Sequence, residues 1–203
     1  MLAAADAVLV DLDGTLVDST APVRRVWAAF AKRHGLDPDE VERFAHGRPS
    51  RESVRALTPD ADLEAESSAI EAAEIADTDG LVALPGAAWL LCADRLLAIV
   101  TSCSTALATV RLQAVGLEVP DVLVSSDGLQ RGKPDPTCFL IAARRLGVDP
   151  ARCVVIEDAP AGITAGRAAG AVVIALRTTH GDDDLGDADA IADDIAALLP
   201  VRR

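Results

Sequence analysis

The chain is poor in several residue types, and each scarcity excludes something. Its 203 residues include no Tyr, two Trp and three Phe. There is no stacking platform for single-stranded nucleic acid. Nineteen basic residues face 32 acidic ones, for a formal net charge of −13, so a surface that grips a phosphate backbone is excluded as well. Lysine is nearly absent: Lys32 and Lys133 are the two, and the other basic residues are Arg. The four cysteines, Cys92, Cys103, Cys138 and Cys153, form no C-x-x-C pair. A disulfide framework or a structural zinc is therefore not expected; buried free thiols in a reducing cytosol are. No apolar run reaches the length of a membrane span. The N-terminus has no basic region, and Asp6, Asp11 and Asp13 interrupt it, so it does not read as a signal peptide. The expected location is cytoplasmic.

What is present is a core. Half of the residues are hydrophobic, enough for one large domain or a core with a smaller insert. Nearly continuous apolar runs at residues 7–12, 96–101, 122–125, 153–157 and 172–176 predict strands covered on both faces. Helical patterns at 86–93, 104–115, 136–146 and 160–169 separate the later runs, several opened by Pro and closed by Gly. This alternation predicts an α/β fold, a Rossmann-like doubly wound parallel sheet. About 80 residues between the first two strands break the rhythm and contain no good strand. They read as helices at 21–34, 38–44, 51–57 and 61–76, an insert over the carboxyl edge of the sheet, where ligands bind. Residues 181–194 carry seven Asp and read as a solvated loop and helix start.

Asp11-Leu12-Asp13-Gly14-Thr15 ends the first apolar run. Two carboxylates at i and i+2 on a strand share a face. They repel unless a cation lies between them or one takes up a proton. Gly14 allows a sharp turn and a close approach of backbone to ligand. The pattern suits a hard, oxygen-liganded cation such as Mg²⁺ together with a phosphate. The competing reading is a strand end that caps the next turn. Three more polar groups follow later strands. Thr101-Ser102-Cys103-Ser104 offers hydroxyls and amides at a helix start, as an anion site or an ordinary N-cap would. Lys133 sits between Gly132 and Pro134 in a stiffened Gly-Lys-Pro-Asp-Pro turn, where a fixed ammonium can balance phosphate charge. Glu157-Asp158 at the fourth strand end adds oxygen ligands, with Asp158 as a helix N-cap the alternative.

Taken together, DLDGTLVDS at 11–19, VTSCS at 100–104, GKPDP at 132–136 and VVIEDAPAG at 154–162 resemble the haloacid dehalogenase superfamily. The resemblance covers essentially the whole chain. It implies a catalytic core at residues 1–16 and 83–203 and a helical cap domain at 17–82. It implies that Asp11 is the nucleophile and Asp13 the acid and base. Thr101 and Ser102 then hold the phosphoryl oxygens, and Lys133 neutralises them. The metal, Mg²⁺, is implied to rest on Asp11, the Asp13 backbone carbonyl and Asp158, with Glu157 helping. Cys103 stands where many relatives carry Gly or Ser and is expected to tune packing. The segment His46-Gly47-Arg48 and the Val-Thr-Ser form of the second motif are most similar to phosphatases of sugar and polyol phosphates. His46, Gly47, Arg48 and Arg51 are the expected substrate contacts of the cap.

A Mg²⁺-dependent phosphatase acting through an aspartyl-phosphate is thus the leading expectation. A β-phosphoglucomutase-like mutase is the alternative, disfavoured because no Lys occurs in the later cap helices. A phospho-acceptor signalling domain is remote, because it has no use for an 80-residue insert. The expected partner is a small phosphorylated metabolite, not nucleic acid or membrane, and a monomer is favoured.

Overall fold

The first strand, β1 (Ala7–Val10), is buried at every residue, which requires cover on both faces. The computed structural model describes residues 2–45 and 48–199, so His46 and Gly47 lie outside the described residues. The remaining strands are β2 (Val17–Asp18), β3 (Val82–Ala83), β4 (Leu96–Val100), β5 (Leu123–Val124), β6 (Cys153–Glu157), β7 (Val172–Leu176) and β8 (Ala190–Ala192). Six of them form one sheet in the order β5-β4-β1-β6-β7-β8, and every pairing in it is parallel. β1 is thus central, between β4 and β6.

Side chains alternate across this sheet as the two-residue period requires. Ala7, Leu9, Ala98, Val100, Val155 and Val173 face one apolar cluster, filled by α7 (Thr137–Leu146) and α8 (Pro160–Ala168). Val8, Val10, Ile99, Ile156, Ile174 and Leu176 face the other, filled by α5 (Ala87–Leu91) and α6 (Thr105–Ala114). Helices on both faces make the sheet doubly wound, as the sequence pattern predicts.

Four helices lie between β2 and β3: α1 (Thr20–His34), α2 (Pro38–Ala45), α3 (Ser50–Leu57) and α4 (Leu63–Ala76). They close a third apolar cluster of their own around Trp27, Phe30, Val41, Val54 and Ile70. Three of the chain's few aromatics, Trp27, Phe30 and Phe44, sit in this insert. Trp27 meets Phe30 edge-on at 5.4 Å.

The structure corrects the sequence reading in four places. The first strand is shorter than residues 7–12. The Asp11 amide still bonds to Ile156, but Leu16 and Val17 both donate back to the Leu12 carbonyl, so the chain has already turned. The stretch thought free of strands contains β2 and β3, an antiparallel ribbon at the root of the insert; two residues each are too few to show a period. The Asp-rich tail is not solvated throughout. It starts a four-residue helix, α9 (Asp182–Leu185), as expected, but it also contains the edge strand β8, whose Ala-Ile-Ala is short enough to be hidden by flanking charge. Finally, of the four cysteines Cys138 and Cys153 are buried, Cys103 is half-buried and Cys92 exposed.

Candidate active site

Asp11 and Asp13 leave the carboxyl end of the central strand, and the neighbouring strand ends converge on them. β4 leads into Thr101 and Ser102, β6 ends at Glu157 and Asp158, and the loop before α7 carries Lys133. These residues line one cleft with Ser19, Thr20, Trp27, Arg48 and Glu74 of the insert and Arg111 of α6.

Lys133 is the hub of the buried part. Its ammonium, 4 % exposed, donates to Asp11 Oδ1 and Glu157 Oε1, both at 2.5 Å, and to the Val100 carbonyl at 3.0 Å. Burial opposes its charged form, but Asp11 and Glu157 outweigh burial and hold the lysine above its ordinary pKa. Burial pushes the Asp11 carboxyl well above the usual carboxylate range, against the pull of Lys133 and with Glu157 and Asp158 adding to the rise. The second Glu157 oxygen accepts the amides of Asp158 and Ala159 at 3.0 and 3.1 Å. The capping role considered for Asp158 is not seen, since the N-cap of α8 is Ala159, without a side-chain cap bond.

Asp158 is held instead by hydroxyls. Thr15 donates to Oδ1 at 3.1 Å and Thr179 donates to Oδ2. His180 Nδ1 lies 3.0 Å from the Asp158 carbonyl, and Thr178 donates to the Gly14 carbonyl. Thr178, Thr179 and His180 follow β7 and escaped the sequence reading, although a polar run after an apolar one was the signal used elsewhere. Two glycines make this closeness possible. Gly14 has φ of 75°, and a Cβ there would fall 2.1 Å from Asp158 Oδ2; a Cβ on Gly162 would fall 1.7 Å from Glu157 Oε1.

Could the site hold a metal? Asp11, Glu157 and Asp158 each bring a buried carboxylate oxygen within 4.8 Å of the other two. The cleft is lined by five carboxylates, those of Asp11, Asp13, Glu74, Glu157 and Asp158, against the cations Arg48, Arg111 and Lys133. Carboxylates outnumber cations there, and hard oxygen donors suit Mg²⁺ or Ca²⁺. The donor set fits such a cation. The Asp13 carboxylate is not part of it.

Asp13 is held by a different set. Arg111 Nη1 donates to Asp13 Oδ2 at 2.6 Å, and Cys103 Sγ lies 3.0 Å from the same oxygen. Asp13 Oδ1 is buried and has no hydrogen-bond partner among the described residues. Cys103 therefore makes a polar contact beside the site, where packing alone was expected. Arg111 also donates to Glu74 of α4 at 3.3 Å, and both are buried. Burial raises Glu74 to about 7, with Arg111 opposing and Asp13 adding. Neither Arg111 nor Glu74 was picked out from sequence. The available signal was a charge on an apolar stripe: Arg111 shares its buried face with Leu107, Ala108 and Leu112, and Glu74 shares its face with Ile70.

Thr101 and Ser102 reach the cleft as expected, and the Thr101 hydroxyl accepts the Cys103 amide at 3.1 Å. Ser104 caps α6 through the Leu107 amide. Arg48 lines the cleft with its guanidinium 4.6 Å from the Phe44 ring centroid. Arg51 does not line it. It is half exposed, pairs with Glu64, and borders a second opening between α3, α4 and the loop at Ser126–Asp127.

Comparison with known proteins gives the family. The model of the haloacid dehalogenase-like hydrolases matches residues 5–170. Hexitol phosphatase A of Escherichia coli is 44 % identical over 190 residues, covering 90 % of this chain and 88 % of that one. Validoxylamine A 7'-phosphate phosphatase of Streptomyces hygroscopicus is 36 % identical over 202 residues, covering 94 % of each. A β-phosphoglucomutase structure from Clostridium difficile superposes with a TM-score of 0.85 over 96 % of this chain and 93 % of that one; at 21 % identity it speaks for the fold alone. The chain belongs to the haloacid dehalogenase-like hydrolases and is a phosphoric monoester hydrolase.

Proposed function

We propose that the chain is a Mg²⁺-dependent phosphatase of small phosphorylated sugars or polyols that works through an aspartyl-phosphate. The observation that carries this reading is the different treatment of the two carboxylates at the end of β1. Asp11 lies against the Lys133 ammonium, while Asp13 is anchored through one oxygen and has the other without a partner among the described residues.

In the first displacement Asp11 attacks phosphorus, and the bond from phosphorus to the sugar oxygen breaks. An alkoxide is a poor leaving group, so Asp13 Oδ1 donates its proton as that bond opens, a contribution of about 10²–10⁴-fold. In the second, Asp13 takes a proton from water, which attacks the aspartyl-phosphate and releases phosphate. Lys133 supplies fixed positive charge where the equatorial oxygens carry negative charge. Thr101 and Ser102 add hydroxyl and amide donors. A divalent cation held by Asp11, Asp158 and the Asp13 carbonyl, with Glu157 behind them, would screen the charge between nucleophile and phosphate.

We read residues 1–16 and 83–203 as the catalytic core and 17–82 as the cap, with Arg48 the cap cation for substrate. Two of the relatives named above are, by name, a hexitol phosphatase and a phosphatase of validoxylamine A 7'-phosphate. The mutase alternative needs a grip on a distal phosphate. Among the described insert residues lining the cleft there is one cation, Arg48, and Lys32 is exposed on α1.

The test is phosphate release across a panel of sugar, polyol, nucleotide and glycolate phosphates, with Asp11→Asn and EDTA as controls. Release from sugar or polyol phosphates, lost in Asp11→Asn and in EDTA and restored by Mg²⁺, is expected. Full activity in EDTA, turnover by Asp11→Asn, or isomerised sugar phosphate in excess of free phosphate overturns the reading.

A further inference from the structure

Arg111 is an expensive residue to bury. Desolvating a guanidinium costs several kcal/mol, which close ion pairs must offset, and α6 could pack on the sheet with an apolar residue at this place. The partners it finds come from both sides of the cleft. One is Asp13 Oδ2 on the core, at 2.6 Å. The other is Glu74 Oε2 on α4 of the insert, at 3.3 Å. Cys103 Sγ, 2.8 Å from the guanidinium and 3.0 Å from Asp13 Oδ2, closes the set. With Oδ2 occupied twice, the oxygen left for chemistry is Oδ1.

We infer that Arg111 is a positioning residue for Asp13, fixing which carboxylate oxygen faces the leaving group, and that Glu74 makes this grip depend on the docked insert. The inference rests on the proposed acid–base role of Asp13. Without Arg111 the Asp13 carboxylate is free to rotate, and proton delivery to the alkoxide falters. Without Glu74 the guanidinium loses its second anchor, and the insert loses a contact that ties α4 to the acid.

Leaving-group dependence separates positioning from general damage. A sugar alkoxide needs the proton as the phosphorus–oxygen bond breaks, whereas p-nitrophenolate leaves without one. Arg111→Met, Arg111→Lys and Glu74→Gln would each be assayed by single-turnover kinetics with sorbitol 6-phosphate and with p-nitrophenyl phosphate. The Arg111→Met change should slow phosphoryl transfer from sorbitol 6-phosphate about 10²–10³-fold and p-nitrophenolate release less than about fivefold. The Arg111→Lys variant should recover part of the loss. Glu74→Gln should slow the polyol substrate by about three- to tenfold with little change in KM, and should add nothing on top of Arg111→Met.

Equal slowing of both substrates in folded Arg111→Met, or a polyol rate within threefold of wild type, overturns the positioning role. Should Arg111→Met not fold, Arg111→Lys and Glu74→Gln decide by the same leaving-group ratio. The parent reading fails separately, if Asp11→Asn still gives the p-nitrophenolate burst.

Discussion

Replacing Lys133 by Met tests the buried charge network without reference to any substrate. The side chains are similar in length, so packing against Phe139, whose ring centroid is 5.3 Å from the ammonium, is largely kept. What disappears is the charge bonded to Asp11, Glu157 and the Val100 carbonyl. Removing one partner of a buried ion pair costs about 3–5 kcal/mol, since the other is left uncompensated. At about 1.4 kcal/mol per decade, that is roughly a 10²–10⁴-fold loss in the folding equilibrium. With a urea m-value of about 2 kcal/mol/M, the unfolding midpoint should fall by about 1.5–2.5 M. Asp11, already raised by burial, loses the Lys133 cation that favours its ionised form. A carboxyl with a raised folded pKa stabilises the fold below its unfolded pKa, and that stabilisation is lost as pH rises through the folded value. The penalty of Lys133→Met should therefore be small near pH 4 and grow toward pH 8, and a second change, Glu157→Gln, should recover part of it. Urea melts at pH 4, 6 and 8 give all three values. A Lys133→Met protein within about 1 kcal/mol of wild type at pH 8, or a penalty flat across pH, would refute the argument.

Three other changes probe the same site. Asp13→Asn should lower turnover of a polyol phosphate about 10²–10⁴-fold with unchanged circular dichroism; near-normal rates would remove the acid–base assignment. Glu74, raised to about 7 by burial, should weaken the fold as it ionises, so Glu74→Gln should gain on wild type by up to about 3 kcal/mol between pH 4.5 and 8. A stability difference that does not change with pH contradicts this. Gly162→Ala places a Cβ inside the Glu157 carboxylate, and overpacking of this kind should cost about 1–3 kcal/mol and displace Glu157 from Lys133. Wild-type stability together with wild-type activity would show that the loop yields freely.

The chemistry at the strand ends was legible because each group is local in sequence. Asp11 with Asp13, Thr101 with Ser102, and Glu157 with Asp158 are neighbours on one strand end, and a parallel sheet brings strand ends to one edge without further instruction. The Arg111–Glu74 pair obeys no such rule. Its partners are 37 positions apart and meet only when the insert docks, so each alone looked like a stray charge on a helix. Thr179 was missed for a related reason, since its role follows from Asp158 lying across the loop. The strands β2, β3 and β8 were hidden by length: two or three residues show no alternation, and tertiary pairing decides their state.

The ribbon of β2 and β3 has a topological consequence. Asp18 pairs with Val82, so the chain leaves the sheet domain and returns to it through adjacent residues, about 5 Å apart as paired strands are. A two-residue hairpin turn spans that gap. The segment 19–81 is therefore a cassette, exchangeable at one seam without re-threading the parallel sheet. Swapping it leaves the strand-end residues in place, except that Arg111 must find a new counterion for the one Glu74 provided.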